Sequence, residues 1–238
     1  MKSLHIITPV KNSADTAVNT IRSICASVTE KPFNYTVYND FSNEETTAML
    51  EQEKQKLGFE LVHLSELTDH PSPNYLLVLQ IAQQKALEAN AHLVVIESDV
   101  VVKPDTLQTL ADRARTLENP GMMAAVTTNQ EGELNFPYRY ARNLPQGSVK
   151  APKGISFCCS LLSNDFLKSF DFHHLDPEKT WYDVFISHKA AALGFTNYVL
   201  TDTKVLHFPH SSRPWKKLKT SNPIKYYWRK FITHRERI

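Results

Sequence analysis

Only three cysteines occur in 238 residues, and none has the spacing of a disulfide framework or of a Cys/His metal site. Cys158 and Cys159 are adjacent in an apolar run and Cys25 falls in a helical stretch, so buried thiols of a reducing compartment are expected. Glycine is scarce, six in all, and neither G-x-G-x-x-G nor G-x-x-x-x-G-K-[ST] occurs. Dinucleotide-fold and P-loop readings therefore lose their best support. No apolar run approaches the roughly 20 residues of a membrane span, and the opening MKSLHIITPVKN turns polar too soon for a secretory leader. Repeats and low-complexity tracts are lacking too. At 42% hydrophobic and 22% charged, the chain reads as globular and long enough to bury a core as one domain.

Net charge is small, at +2, but its distribution is lopsided. Residues 213–238 carry nine Lys/Arg against one acid, Glu236, which makes that tail +8 and leaves the first 212 residues at −6. An acidic body argues against nucleic acid as a partner, whereas the tail is suited to an anionic one. Within the tail, Ile224, Tyr227, Trp228, Phe231 and Ile232 share a helical face flanked by Lys225, Arg229 and Lys230. Two readings stay open: an interfacial helix on anionic lipid, or an apolar face packed on the body.

What is present is an alternation of strands and helices. The runs SLHIITP, NYTVYND, FELVHL and Leu93–Ile96 read as strands, the last of them fully buried because its apolar run does not alternate. Between them lie an amphipathic stretch with Ala17, Ile21, Ile24 and Val28 on one stripe, a helix around Met49 and Leu50, and a long helix opened by Pro73-Asn74 through Leu77, Ile81, Gln84 and Leu87. A further helix carries Leu107, Leu110, Ala114 and Leu117. This rhythm predicts an α/β fold with a mainly parallel central sheet and helices on both faces. After a strand at 122–127 the pattern turns α+β: an irregular stretch 129–153, a strand-like run 155–162, a helix TWYDVFISHKAAAL ended by Gly194, and a strand pair around 198–200 and 204–206. The expected organisation is one domain over 1–212, with halves 1–127 and 128–212, followed by the basic amphipathic tail 213–238.

Chemistry concentrates where strands end. Glu97-Ser98-Asp99 follows a buried strand at the edge where open α/β sheets bind ligands, so two acids one residue apart there suggest a divalent cation holding a phosphorylated substrate. The alternative is a solvated Glu97 and a turn-capping Asp99. Asp40 ends the second strand at the same edge, suited to a base or ribose, or else to the backbone donors of the next helix along with Ser42. Asp183 opens a helix as a candidate general base, or as a partner of the helix dipole. His207 follows an apolar strand as a candidate metal ligand, or as a hydrogen-bonded structural histidine. Tyr138, Arg139, Tyr140 and Arg142 mark the 129–153 stretch as a candidate lid or acceptor surface.

Taken in order, Pro9-Val10-Lys11-Asn12, Asp40 with Ser42-Asn43-Glu44, Glu97-Ser98-Asp99, Phe170-Asp171, Trp181-Tyr182-Asp183, Ala192-Leu193-Gly194-Phe195 and Val205-x-His207 form a series. Over about residues 3–212 the chain resembles family 2-like glycosyltransferases of the GT-A fold, particularly sugar transferases of bacterial surface-polysaccharide synthesis. The resemblance implies an inverting transfer from a nucleotide-diphosphate sugar to a glycan or lipid-linked glycan acceptor. It implies that Pro9, Val10, Asn12, Asp40, Ser42, Glu97 and Ser98 contact the nucleotide sugar. Asp99, His207 and Glu97 would hold Mg²⁺ or Mn²⁺, and Asp183 would be the catalytic base. Glu97 stands where the family more often has Asp, Tyr182 where Glu is commoner, and His188 where Arg is common. Those departures keep a catalytically inactive, membrane-associated scaffold subunit in view as an alternative. A nucleotidyltransferase is the other, although the first strand lacks its Gly-rich triphosphate loop. The expected location is cytoplasmic, peripheral on the inner face of the cell membrane.

Overall fold

The strand LHIITPV is hydrophobic at every position except His5 and Thr8, which leaves no polar face to show to water. In the computed structural model, which describes residues 2–152, 154–178 and 181–208, this strand (β1, Leu4–Val10) lies inside the sheet, parallel to β2 (Asn34–Asn39) on one side and β4 (His92–Ile96) on the other. Ile6 and Ile7 point to opposite faces and are both fully buried, which stabilises the fold by about 1.5–3 kcal/mol each.

The sheet has nine strands among the described residues. Its order is β3 (Glu60–His63), β2, β1, β4, β8 (Cys159–Leu162), β6 (Pro120–Thr128), β9 (Thr196–His207) and β5 (Val100–Val101), with β7 (Ser148–Lys150) also paired to β9. Strands β1, β2, β3, β4, β6 and β9 run one way, and β5, β7 and β8 run against them. The sheet is thus mainly parallel by direction, with an antiparallel β8 inserted where the rhythm of the sequence changes.

Helices cover both faces. Helices α1 (Ala14–Cys25), α2 (Glu44–Leu57) and α4 (Thr106–Thr116) pack Ile21, Leu50 and Leu110 against the Ile6 side. On the Ile7 side lie α3 (Tyr75–Glu88), α5 (Asn164–Ser169) and α6 (Tyr182–Ala192). Caps follow residue chemistry: Asn43 accepts from the Thr46 N–H at 3.0 Å, Ser163 from Phe166 at 3.1 Å, and Gly58 closes α2 at φ +75°.

Several expectations change. Helix α1 stops at Cys25, so Val28 leaves the stripe and is exposed. In α3 the buried face is Val78, Leu79, Ala82, Gln83 and Ala86, while Gln84 is exposed. Its first eight residues, YLLVLQIA, are apolar on nearly every side, so periodicity could not select the face. The run 155–162 pairs only from Cys159. The expected strand pair near the end is one strand, β9, whose register jumps from Ala125↔Leu200 to Val126↔Lys204. The polar Thr201-Asp202-Thr203 imitates a turn but is a bulge, held by Thr201 Oγ1 donating to Pro145 O at 2.8 Å and by an Arg113–Asp202 ion pair at 2.9 Å. Tyr138 is core and not lid, fully buried with its hydroxyl donating to Ser156 O at 3.2 Å.

The chain up to His207 forms one compact unit. The tail 213–238 and the boundary at 212 lie outside the described residues. Among those described, no helix is long and apolar enough to cross a membrane.

Candidate functional site

Parallel pairing puts the C-terminal ends of β1, β2 and β4 at one edge, and the loops leaving them are tied together. Asn12 adopts φ 46°, a left-handed conformation that Asn tolerates. Its N–H donates to Ser42 Oγ at 3.1 Å, and its Oδ1 accepts from the Asn43 N–H at 2.7 Å. The Val10 carbonyl accepts from the Asp40 N–H at 2.9 Å and from Ser42 Oγ at 3.4 Å, while Pro9 pairs with Tyr38 across the strands. Lys11 Nζ donates to Phe41 O. Ser98 reaches Ser13 with hydroxyl oxygens 3.2 Å apart, linking the end of β4 to the loop after β1.

Asp40 is buried and already employed. Its Oδ2 accepts from Ser72 Oγ at 2.7 Å and from the Asn74 N–H at 3.0 Å, and its Oδ1 accepts from Asn74 Nδ2 at 2.8 Å. The carboxylate thus holds the Ser72-Pro73-Asn74 loop, whose Ser72–Pro73 peptide is cis, at the entrance to α3. A ligand here would meet a pre-set wall of this loop as well as the acid.

The short β5 explains the next juxtaposition. It begins immediately after Asp99, and its Val100 pairs with His207 at the end of β9. That pairing carries a histidine from 108 positions along the chain to Asp99, with Nε2 3.5 Å from Oδ2. Both residues are buried, at 4% and 2% exposure for Asp99 and His207. His207 Nδ1 donates to Phe136 O at 2.8 Å. A carbonyl can only accept, so the neutral ring carries its proton on Nδ1 and presents a lone pair at Nε2. This Nε2 is buried and makes no hydrogen bond among the described residues.

Glu97 enters the same cluster from the β4–β8 ladder. Its N–H donates to Cys158 O at 3.1 Å, and the Cys158 thiol donates to Glu97 Oε2 at 3.4 Å. Ligand atoms of Glu97, Cys158 and His207 lie within 4.8 Å of one another. Burial first, and then the Glu97 carboxylate, pushes the Cys158 thiol well above its ordinary value. A buried lone pair facing two carboxylates is a donor set that fits a divalent cation. The cysteines have no metal-site spacing in the sequence, and the ladder is what brings Cys158 beside Glu97 and His207.

Asp183 stands in the first turn of α6, its Oδ1 accepting from the Val184 N–H at 2.9 Å. Gly154 packs on this turn, where an added Cβ would lie 3.4 Å from Val184 Cγ1. Burial pushes the Tyr138 phenol well up, and Cys158, Tyr140 and Asp183 push it the same way, so one buried hydroxyl feels both the cluster and the α6 turn. A cavity of about 380 Å³ lies between the loop held by Asp40 and the start of α6, lined by His70, Pro73, Asn74, Tyr75 and Tyr182 among others. A larger one, about 550 Å³, opens at the opposite end of β1, β2 and β3.

Ser13, Ser72, Asn74, Gln83 and Cys158 are site or support residues that sequence reasoning missed. Gln83 is buried in α3 and donates to Leu167 O and Phe170 O at 2.9 and 2.6 Å, while its Oε1 accepts from the Phe172 N–H at 2.8 Å. It thereby orders the segment leading toward α6. An Asn or Gln inside an apolar helix face was the one available signal.

A mixed sheet of this order, with acids and a histidine gathered at one edge, defines a GT-A-like α/β protein. Residues 5–170 match the family described as Glycosyl transferase family 2, and the chain belongs to that family. Solved structures share the fold. Mannosyltransferase PcManGT from Pyrobaculum calidifontis, in complex with GDP-Man and Mn²⁺, is 14% identical at a TM-score of 0.66, covering 97% of this chain and 64% of that one. Residues 1–349 of S. aureus TarS, in complex with UDP-GlcNAc, are 18% identical at 0.63, covering 89% and 60%. GalNAc-T7 with UDP, GalNAc and Mn²⁺ is 12% identical at 0.65, covering 89% and 45%. The chain therefore spans less than two thirds of each of these relatives. A comparison with curated proteins finds no match.

Proposed function

We propose that the chain is a metal-dependent, inverting glycosyltransferase that moves a sugar from a nucleotide-diphosphate donor to a hydroxyl of a glycan or lipid-linked glycan. The observation that carries this is the buried Asp99–His207 contact beside Glu97, at the sheet edge shared with Asp40. Asp99, His207 and Glu97 would hold Mg²⁺ or Mn²⁺. Such an ion, when bound, neutralises charge developing on the leaving diphosphate.

The chain's own groups do the rest. Asp40 and the Asn74 loop orient the nucleoside, with Pro9, Val10, Asn12, Ser42 and Ser98 shaping the floor beneath it. Asp183 takes the proton of the acceptor hydroxyl as that oxygen bonds to the anomeric carbon. The bond from that carbon to the diphosphate oxygen breaks on the opposite face, so configuration inverts. The donors and Mn²⁺ in the names of the similar structures support this reading. The basic tail 213–238 would dock the enzyme on anionic lipid at the inner face of the cell membrane, with vesicle binding lost on its removal.

The test is a panel of UDP-, GDP- and dTDP-sugars assayed for transfer or hydrolysis with Mn²⁺, with Mg²⁺ and with a chelator. Metal-stimulated turnover of at least one donor is expected. Failure of every nucleotide to bind in calorimetry would overturn the assignment in favour of an inactive scaffold.

A further inference from the structure

The cluster around His207 contains a sulfur that a carboxylate-and-histidine site has no need of. Cys158 is 1% exposed, sits immediately before β8, and directs its Sγ to Glu97 Oε2 at 3.4 Å. Its backbone is fixed as well, because the Cys158 carbonyl accepts from the Glu97 N–H and the next residue pairs with Ile96. The thiol itself has two polar neighbours, Glu97 Oε2 and Ser156 Oγ, each at 3.4 Å.

The Cys158–Glu97 separation is 3.4 Å, and ligand atoms of Glu97, Cys158 and His207 all lie within 4.8 Å of one another, near enough for one ion to draw them together. The independent sign of a ligand is His207 Nε2, buried, unbonded among the described residues and belonging to the same cluster.

We propose that Cys158 is a thiolate ligand of the metal centre, adding sulfur to the His207 nitrogen and the Glu97 oxygen and tilting the preference of the site from Mg²⁺ toward Zn²⁺, Co²⁺ or a similar borderline-soft ion, with a position left open for the diphosphate. This rests on the metal-centre reading above. Thiolate and imidazole favour such ions, whereas Mg²⁺ prefers oxygen and retains its water. On binding, the thiol proton passes to solvent and the sulfur lone pair goes to the ion, with no change of oxidation state.

The test uses the metal-free full chain, titrated with Co²⁺ without oxygen and read by absorption. A sulfur-to-cobalt charge-transfer band in the near ultraviolet is expected together with visible ligand-field bands. The band should vanish in Cys158→Ser and persist in Cys25→Ser. Zn²⁺ affinity of Cys158→Ser should fall more than about tenfold, the floor seen when even an outer partner of a ligand is lost. ¹¹³Cd resonance of the unaltered chain gives an answer that does not depend on a variant's folding, because a sulfur ligand shifts the signal far downfield. Ligand-field bands without charge transfer, or a cadmium signal typical of nitrogen and oxygen alone, would overturn the role of Cys158 and leave the carboxylate–histidine site standing. No ion binding at all would bring down both readings.

Discussion

Each end of the central sheet buries a histidine whose Nε2 makes no hydrogen bond among the described residues, yet the two rings face opposite electrostatics. His5, near the start of β1, lies at the larger cavity, with Lys85 and Glu60 as charged neighbours. Burial first, and Lys85 second, lowers its pKa to about 4. Glu60 partly opposes this, but its carboxylate is engaged by Lys85 at 2.5 Å and Thr36 at 2.7 Å. His207, at the far end, faces Asp99 at 3.5 Å and shares its cluster with Glu97. A lysine ammonium stands near one ring and a carboxylate faces the other. An unbonded ring nitrogen alone does not mark a site, and neither does cavity volume; acidic company is what a bound cation would require.

Four changes test that contrast, from the largest effect to the smallest. At the carboxylate end, Asp183→Asn should cut transfer by about 10²–10⁴-fold while donor affinity in calorimetry and thermal midpoint stay put. Lost donor affinity would move Asp183 into the nucleotide site. At the opposite end, the effect should be on stability alone. An unfolded His5 binds a proton near pH 6.5 and the folded one only near 4, so the unfolded state binds more protons between those values. Stability should therefore fall by about 3 kcal/mol as pH drops through that window. Denaturant midpoints of His5→Leu should show a shallower acid limb, with transfer at neutral pH unchanged; an identical limb would refute the assignment. His92, lowered to about 4 by burial and then Lys2, adds to the same limb, since its Nδ1 accepts from the Asn164 N–H at 3.1 Å.

Gly121→Ala comes third. The new Cβ would stand 2.8 Å from Phe195 Cβ and 2.9 Å from Asn197 Oδ1, which should cost about 2 kcal/mol in chemical unfolding. It stands at the start of β6 and should alter neither pH limb nor metal binding. Last, Ser72→Ala removes one donor to a carboxylate, at about 1.5 kcal/mol, and should loosen the Asn74 loop. A raised donor KM with unchanged kcat is the expected signature, measured by initial rates.

The parallel half of the fold was legible because its apolar strands alternate with amphipathic helical stretches. The site was legible where it lies at strand ends: Asp40, Glu97 and Asp99 share an edge because parallel strands finish together. It was illegible where pairing is antiparallel. Nothing local in Cys158-Cys159 says that the first sulfur meets Glu97, and the bulge at 201–203 hides the continuity of the strand that delivers His207.

The sequence by itself determined the alternation of elements, the parallel core and the carboxylates at its edge, because these follow from periodicity and short-range order. Tertiary structure alone decided the company those carboxylates keep. The two-residue strand β5 and the inserted β8 join segments more than sixty residues apart, and such pairing depends on register across the sheet, which no local pattern encodes.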